Sequence, residues 1–331
     1  MTDFTDLIDV ASERLGASAL IANDEFFGPK ERLIKAAPAE WREGVYDEHG
    51  KWMDGWETRR RRTEGYDWCV VRLGIPAIVR GVVVDTAWFR GNYPESCSID
   101  ACEVDGTPAL SDLTDARRSN WHEILPRQPL EGDTRNLFSV ADAPRATHLR
   151  LNIYPDGGVA RLRVHGEAAP DPRALRPGRE VNLAAMELGA FVLVCSDMFF
   201  GHRQNLILPG RSTHMGDGWE TKRRRGPGHD WTIVRLAARG AIERIEIDTD
   251  HYKGNAPGSC AVDCCDAPGA SSEQLTDAAT PWSPLVPQTP LQPHTRHAFD
   301  VPGNTAAATH VRLSIHPDGG IARMRVVGRV T

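Results

Sequence analysis

The 331-residue chain contains two near copies of one nine-residue block, and this duplication constrains the fold more than any other feature. Asp54–Arg62 reads DGWETRRRR and Asp217–Arg225 reads DGWETKRRR, so the two blocks differ at one position. Other shared motifs keep the offset that separates Trp56 from Trp219 over most of the chain. A chain of this length is expected to form two domains, and the repeat makes them two copies of one fold.

A proline-rich segment separates the two copies. Residues 169–180 contain three prolines and no apolar periodicity, which is typical of a linker. We therefore expect a first repeat at residues 1–168 and a second at residues 181–331. The first copy alone has an insertion of about ten residues between Gly28 and Asp54, which contains the sequence WREGVY.

Several segments have the alternating pattern of half-buried strands. In Ala146–Ile153 the apolar residues fall on one face. A Pro-Asp-Gly-Gly turn and a second alternating segment, Val159–Val164, follow it, which predicts a hairpin. The same pattern recurs at Thr309–Val326.

The rest of the chain also has the pattern of a β protein. Only residues 9–16 and 182–189 look helical. The further β-branched runs are Cys69–Leu73, Ile78–Asp85 and Ser98–Val104, with equivalents at Thr232–Leu236, Ile242–Asp248 and Ala261–Cys265. Short strands separated by Gly, Pro and Asp, without alternating long helices, favour antiparallel sandwiches over α/β folds. We predict an all-β chain of two tandem, homologous, jelly-roll-like antiparallel β-sandwich domains.

Composition excludes several classes of protein. The net charge of −6, from 39 basic and 45 acidic side chains, argues against a surface built to coat nucleic acid. No apolar run approaches the roughly 18 residues that a membrane span needs, and the acidic N terminus is unlike a secretory signal. The seven cysteines include no CxxC pair. We expect a cytoplasmic protein with reduced thiols that binds a small molecule, and homo-oligomerisation stays open.

The repeated block has the composition of a polar site. Its Asp-Gly pair begins a turn, its Trp offers a flat stacking surface, and its Glu can accept hydrogen bonds from a planar N–H pair. Strand alternation would place Arg61 on the same face as Arg59, and Arg60 with Arg62 on the other. The alternative is a buried turn with a satisfied tryptophan.

Two further motifs occur in both copies. An acid begins a predicted strand at Asp67 and at Asp230, where an ion pair across strands is as good an interpretation as a site. Asn92 and Asn255 lie in Gly-Asn loops that follow a strand. Binding residues are often mounted on such loops.

The second copy alone gathers Asp248, Asp250 and His251 after a strand. These side chains could hold a divalent metal, although their spacing is not that of a defined metal motif. Whether the protein uses a cofactor is therefore left open.

Other repeated polar residues have simpler interpretations. His148 and His310 begin equivalent strands, where a histidine is usually a satisfied structural group. Arg161 and Arg323 fall on the polar faces of their strands, where we expect simple solvation. No GxSxG elbow, P-loop, HExxH helix or Cys/His nucleophile signature occurs, which disfavours standard covalent hydrolases and nucleotide enzymes.

At these motifs the sequence resembles the allantoicase family (allantoate amidinohydrolase). The resemblance rests on MDGWETRRRR and GDGWETKRRR, the strands beginning Asp-Trp, the Gly-Asn loops and the paired Pro-Asp-Gly-Gly turns, and it covers Phe4 to Gly328. It implies two jelly-roll domains and an enzyme of purine and allantoin degradation, and hence of nitrogen metabolism. The implied reaction is hydrolysis of allantoate to ureidoglycolate and urea, at a C–N bond of a linear amidine.

The resemblance assigns no catalytic residues, so the roles are our own hypothesis. Allantoate is a carboxylate with two planar ureido groups, which needs a cation, acceptors for N–H edges, a general acid and a general base. We expect Glu57 or Glu220 to bind or protonate the leaving ureido group, Asp67 or Asp230 to orient water, Arg61 or Arg224 to hold the carboxylate, and Trp56 or Trp219 to stack on a ureido plane. The predicted substrate-binding set also includes Asp54, Asn92, Asp217 and Asn255.

The two copies are not equivalent at these positions. Because the insertion belongs to the first copy, while Asp250 and His251 belong to the second, we expect unequal sites or one site at an interface. The second hypothesis for function is a non-catalytic tandem β-sandwich module that binds a carbohydrate or a small ureido ligand.

Overall fold

The structure is a computed structural model that describes residues 4–104, 106–115, 120–301 and 306–331. The chain divides after Ala169 into two compact units. Each unit contains an antiparallel eight-stranded sheet, and the two sheets have the same strand order. The predicted all-β fold of two jelly-roll-like sandwiches is confirmed.

The first unit contains twelve strands and one short α-helix within its described residues. They are β1 (Ile8–Asp9), β2 (Ser18–Ala22), β3 (Tyr46–Asp47), β4 (Gly50–Lys51), β5 (Trp56–Glu57), β6 (Asp67–Asp85), β7 (Ser96–Cys102), α1 (Leu110–Thr114), β8 (His122–Pro129), β9 (Arg135–Ser139), β10 (Arg145–Tyr154), β11 (Gly158–Val159) and β12 (Arg161–Ala168). The insertion of the first copy forms the β3–β4 hairpin, which has no counterpart among the described strands of the second unit.

The second unit repeats this order without the inserted hairpin. Its elements are β13 (Glu180–Asn182), β14 (Phe191–Cys195), β15 (Trp219–Glu220), β16 (Asp230–Asp248), β17 (Ser259–Cys265), α2 (Ser272–Thr276), β18 (Ser283–Pro290), β19 (Arg296–Asp300), β20 (Ala308–His316), β21 (Gly320–Ile321) and β22 (Arg323–Val330). Before β13, the predicted linker contains a 3-10 helix at Pro172–Leu175.

One long strand in each unit belongs to both layers of the sandwich. The first part of β6 pairs with β2 and β10, and its last part pairs with β12 and β9. β16 does the same with β14 and β20, then with β22 and β19. The predicted separate strands Cys69–Leu73 and Ile78–Asp85 are therefore one continuous strand of 19 residues.

The predicted hairpins at Ala146–Val164 and Thr309–Val326 are wrong. β10 and β12 both pair with β6, and β20 and β22 both pair with β16. The Pro-Asp-Gly-Gly turn thus carries the chain from one layer to the other. Alternation reports that one face of a strand is buried, and it does not identify the neighbouring strand.

The segments predicted to be helical contain only single 3-10 turns, at Glu13–Leu15 and Met186–Leu188. The α-helices α1 and α2 lie elsewhere. All seven cysteines are free thiols, and no helix in the described part of the chain is long and apolar enough to cross a membrane.

Close backbone packing explains two of the repeated glycines. Gly28 exchanges backbone hydrogen bonds with Glu57, and a Cβ at Gly28 would overlap the carbonyl oxygen of Gly55. A Cβ at Gly158, in the turn before β12, would overlap the ring of Phe89. These glycines therefore bring the repeated block, the Pro-Asp-Gly-Gly turn and the loop after β6 together.

Candidate functional site

A cavity of about 850 Å³ lies in the first unit where the repeated block meets the loop after β6 and the turn before β12. Its wall carries three arginines and three carboxylates. These charged lining residues are Glu57, Arg60, Arg61, Arg90, Glu95 and Asp156. Concave sites with a few converging polar groups are the usual form of a small-molecule site.

Glu57 is fixed in this wall by strand pairing and by one amide. β5 pairs with β11, so the backbone of Glu57 faces Gly158. The Nδ2 of Asn92 donates a hydrogen bond of 2.7 Å to Oε1 of Glu57. The repeated block and the Gly-Asn loop thus contribute one residue each to a single acid–amide pair, which the sequence analysis did not predict.

The environment of Glu57 favours its protonated form. Burial raises the pKa of the Glu57 carboxyl, and the hydrogen bond from Asn92 and the charge of Arg32 offset only part of the rise. A carboxyl that keeps its proton at higher pH than usual can serve as a general acid.

The raised pKa predicts a pH-dependent stability difference between the wild type and Glu57→Gln. A group with a raised folded-state pKa stabilises the fold below its unfolded pKa, and this contribution is lost as pH rises through the folded pKa. Relative to wild type, the free energy of unfolding of Glu57→Gln should therefore increase as pH rises above 4.5, the ordinary value, and then level off. Urea denaturation at a series of pH values measures this difference in the free energy of unfolding. Parallel curves for the two proteins would contradict the assigned direction of the shift.

Arg61 lines the cavity, and a carboxylate outside the cavity wall holds its guanidinium group in place. Its Nε donates to Oδ1 of Asp67 at 3.2 Å, and the same oxygen accepts a bond of 2.9 Å from Nδ2 of Asn23. The backbone amide of Arg61 donates to Oδ2 of Asp156 at 2.8 Å. Asp67 is buried and is not part of the cavity wall, so it positions Arg61 and does not orient water there.

The second unit contains the same acid–amide pair, but a methionine contacts the amide there. Asn255 donates to Oε1 of Glu220, and its Nδ2 also lies 3.3 Å from Sδ of Met215. The hydroxyl of Tyr252 donates to the carbonyl of Met215 at 2.7 Å and thereby fixes that residue's backbone. Arg224 pairs with the buried Asp230, as Arg61 does with Asp67.

Three lining residues of the first cavity differ in the second unit, and two of them have no chemical equivalent there. By alignment of the copies, Arg90, Tyr93 and Glu95 are replaced by Lys253, Ala256 and Gly258. The second copy therefore lacks the carboxylate and the phenol ring of the first wall. The expectation of unequal sites agrees with these differences.

The stacking role expected of Trp56 and Trp219 is contradicted by their burial. Both side chains are 0% exposed. Their indole N–H groups donate to the carbonyls of Asp24 and Asp197, each at 2.8 Å. A buried indole with a satisfied N–H anchors the block from inside the fold and presents no face to a ligand.

Asp54 and Asp217 are not substrate ligands either, and the solvation expected for Arg161 and Arg323 is wrong. Arg161 is 1% exposed, and its Nη2 donates a hydrogen bond of 2.6 Å to Oδ2 of Asp54. Arg323 is 5% exposed and bonds Asp217 at 3.0 Å. Burial raises the pKa of Asp54, but the bonds from Arg161 and the Glu40 amide outweigh it and hold that pKa below its usual value.

The proposed metal ligands of the second unit do not form a cation site. The Oδ1 of Asp248 accepts the backbone amide of Asp250 at 2.9 Å, while Asp250 pairs with Arg211 and His294. His251 places Nε2 3.1 Å from the carbonyl oxygen of Ser212. Across residues 4–104, 106–115, 120–301 and 306–331, no group of three or more His, Cys, Asp or Glu is arranged to hold a metal ion.

His148 and His310 are buried structural groups, but the Nε2 atom of each lacks a hydrogen-bond partner among the described residues, so neither is the fully satisfied group that the sequence suggested. Each places Nδ1 2.9 Å from the hydroxyl of the preceding threonine. Burial lowers the pKa of His148 to about 4 and also lowers that of His310.

Sequence reasoning missed five charged or phenolic residues of the cavity wall, for three different reasons. Arg90 and Asp156 lie in motifs that the repeat had already marked, so their signal was present. Arg60 was assigned to the face opposite Arg61, yet both line the cavity because residues 58–66 form no strand. Tyr93 and Glu95 have no counterpart in the second copy, and a search for repeated residues cannot find them.

Comparison with known proteins identifies the family. A family model described as the allantoicase repeat matches residues 8–169 and again residues 181–331. The chain belongs to the allantoicase family. It is 47% identical over 328 residues to a protein named probable allantoicase from Photobacterium profundum, covering 98% of this chain and 97% of the relative. It is 45% identical over 327 residues to one of the same name from Pseudomonas aeruginosa, with coverages of 98% and 96%.

Solved allantoicase structures have the same fold. A crystal structure of allantoicase from Saccharomyces cerevisiae is 35% identical, with a TM-score of 0.79 and coverage of 97% of this chain and 92% of that one. A second allantoicase structure is 34% identical, with a TM-score of 0.82 and coverages of 98% and 93%. The similarity spans both units, so the tandem arrangement is itself a property of the allantoicase fold.

Proposed function

We propose that this member of the allantoicase family hydrolyses allantoate to ureidoglycolate and urea, in allantoin degradation, and that the cavity of the first unit is its working site. The observation that supports the site is the coincidence of a carboxyl with a raised pKa, Glu57, with the guanidinium groups of Arg60, Arg61 and Arg90 in one wall. The first group suits proton donation, and the others suit an anionic substrate.

The charges of the cavity match those of the substrate. A guanidinium group can bind a carboxylate through two parallel hydrogen bonds, and Arg61 is already oriented by Asp67. With the carboxylate at Arg61, a ureido group of the same small molecule lies within reach of the Glu57–Asn92 pair on that wall. Oriented binding of this kind lowers the entropic part of the barrier.

The reaction then needs one proton donor and one proton acceptor. Glu57 donates its proton to the departing ureido nitrogen as the bond from that nitrogen to the central carbon breaks, which releases urea. Water adds to the same carbon, its oxygen becomes the hydroxyl of ureidoglycolate, and a carboxylate accepts the displaced proton. Glu95 is the lining carboxylate we assign to this step, in place of Asp67, because Asp67 is buried behind Arg61.

The proposal predicts that Arg61→Lys weakens substrate binding. Lysine replaces the planar guanidinium group, which can donate two parallel hydrogen bonds, by a compact ammonium group. It cannot keep the geometry of the ion pair with Asp67. We expect KM for allantoate to rise about tenfold to a hundredfold, since a hydrogen bond to a charged group contributes about 1.5–3 kcal/mol. Steady-state assays of urea release measure this change in KM.

Arg224→Lys is the matched control, because Arg224 makes the equivalent pair with Asp230 in the second unit. It should leave KM unchanged. The same assays, run with chelator-treated and metal-supplemented protein and scoring both urea and ureidoglycolate, test the reaction and any metal requirement together. Absence of both products under every condition would reject the proposed function.

The non-catalytic module is not favoured, because a binding protein has no need of a carboxyl with a raised pKa beside an oriented guanidinium. Cytoplasmic location and homo-oligomerisation stay predictions. The free state of all seven thiols is compatible with a reducing compartment.

A further inference from the structure

A second hollow of about 440 Å³ adjoins the cavity of the first unit. The two hollows share Arg90, Gly91 and Asn92, and Asn92 is the residue that bonds Glu57. The remaining wall of the second hollow consists of Trp41, Lys51, Met53 and Trp88. A molecule bound at Glu57 can therefore extend past Asn92 into a compartment whose wall includes two indole rings, which we call the aromatic compartment.

The insertion of the first copy contributes two of the seven residues that line this compartment. Trp41 and Lys51 both lie within it, and Lys51 belongs to the β3–β4 hairpin. The ring centroids of Trp41 and Trp88 are 5.7 Å apart with planes tilted by 33°, and Nζ of Lys51 lies 4.2 Å from the centroid of the Trp41 ring. Trp41 is 39% exposed, so part of its side chain remains accessible to a ligand beside Lys51 and Trp88.

Trp88 is held rigidly in its position. It has a φ of 71°, a conformation that is rare for a large side chain, and its backbone amide donates to Oδ1 of Asp133 at 2.7 Å. Its indole N–H donates to the carbonyl of Ala39 at 3.0 Å. His251 has nearly the same φ in the second unit, so the backbone geometry belongs to the loop and only the side chain differs.

We propose that Trp41, Trp88 and Lys51 form the subsite for the ureido group that the product retains. The inference rests on the proposed function and deepens it. A ureido group is planar, with a face that stacks on an indole and a carbonyl oxygen that accepts a hydrogen bond from an ammonium group. The compartment thus supplies the flat surface that the repeated tryptophans, which are buried, do not.

Trp41→Ala tests the subsite. Stacking present in both the ground state and the transition state is uniform binding, so its loss raises KM and leaves kcat unchanged. We expect KM for allantoate to rise about two- to tenfold, in line with the usual contribution of aromatic contacts, with kcat unchanged from wild type. Trp41→Phe, which keeps a ring, should restore most of the affinity.

Two competitive inhibitors show which group of the substrate binds more weakly in Trp41→Ala. Ureidoacetate carries one ureido group and a carboxylate, whereas glycolate carries the carboxylate alone. Trp41→Ala should weaken inhibition by ureidoacetate and leave inhibition by glycolate unchanged. Equal weakening of both would indicate a general distortion of the cavity and overturn the subsite, as would an unchanged KM.

Tyr46→Ala is the control on the same hairpin, since Tyr46 is exposed and is not part of the compartment wall. It should change neither KM nor inhibition. The two proposals fail separately: full urea release by Glu57→Gln would reject the proposed site, whereas normal KM and normal ureidoacetate inhibition in Trp41→Ala would reject only the subsite.

Discussion

Replacing Glu57 by glutamine should lower kcat for urea release by about 10²- to 10⁴-fold, the usual effect of losing a general acid. Glutamine keeps an oxygen that can accept the hydrogen bond from Nδ2 of Asn92. The variant therefore preserves the shape of the wall and removes only the transferable proton. KM should change much less than kcat, because the lost interaction acts in the transition state.

Glu220→Gln is the matched control in the second unit. Glu220 makes the same bond to its asparagine, but Met215 lies against that asparagine and the equivalents of Tyr93 and Glu95 are missing. We expect kcat for Glu220→Gln to stay within about threefold of wild type. The reverse result, with an inactive Glu220→Gln and an active Glu57→Gln, would transfer the reaction to the second unit.

The pH profile of the wild type adds an independent readout of Glu57. The active form carries the proton, so kcat should fall as pH rises through the raised pKa of the Glu57 carboxyl. The small residual rate of Glu57→Gln should lack this transition. A loss of activity caused by misfolding would instead leave the shape of the profile unchanged.

The fold could be predicted from the sequence because its main signals are local and occur twice. Alternation in Ala146–Ile153 identified β10, and the repeat extended each strand assignment to the second unit. What the pattern could not supply is the partner of each strand. The 19-residue strand β6 serves both layers, and this depends on contacts between residues far apart in sequence, which no local period records.

Repetition in the sequence could predict only those residues of the cavity wall that both copies keep. Glu57, Arg61 and Asn92 were found because both copies keep them and the cavity uses them. Trp56 and Asp54 were chosen by the same rule, yet repetition also preserves residues that hold the fold. Trp41 and Trp88 belong to one copy, so only the three-dimensional arrangement shows that they face one compartment.

Arg161→Met should destabilise the protein by about 3–5 kcal/mol, because it removes the buried charged partner of Asp54 and leaves that carboxylate paired only with the 42% exposed side chain of Lys35. Besides the bond to Oδ2 of Asp54, Arg161 donates to the carbonyls of Ala37, Ala160 and Asp54 at 2.7–2.9 Å. These acceptors would also lose their donor. The change in the free energy of unfolding can be measured by urea denaturation followed through tryptophan fluorescence.

Arg80→Met is the matched control for this prediction. Arg80 pairs with Glu167 at 2.8 Å, but the two side chains are 36% and 55% exposed, and ion pairs that face solvent contribute about 0–1 kcal/mol. If Arg161→Met lowered the free energy of unfolding no more than Arg80→Met does, the Asp54–Arg161 pair would not be what holds the repeated block in place. Because Arg161 also bonds the carbonyls of Ala37 and Pro38, it fixes the chain just before Trp41. A buried ion pair that the repeat preserves for stability therefore supports the aromatic compartment that only the first copy possesses.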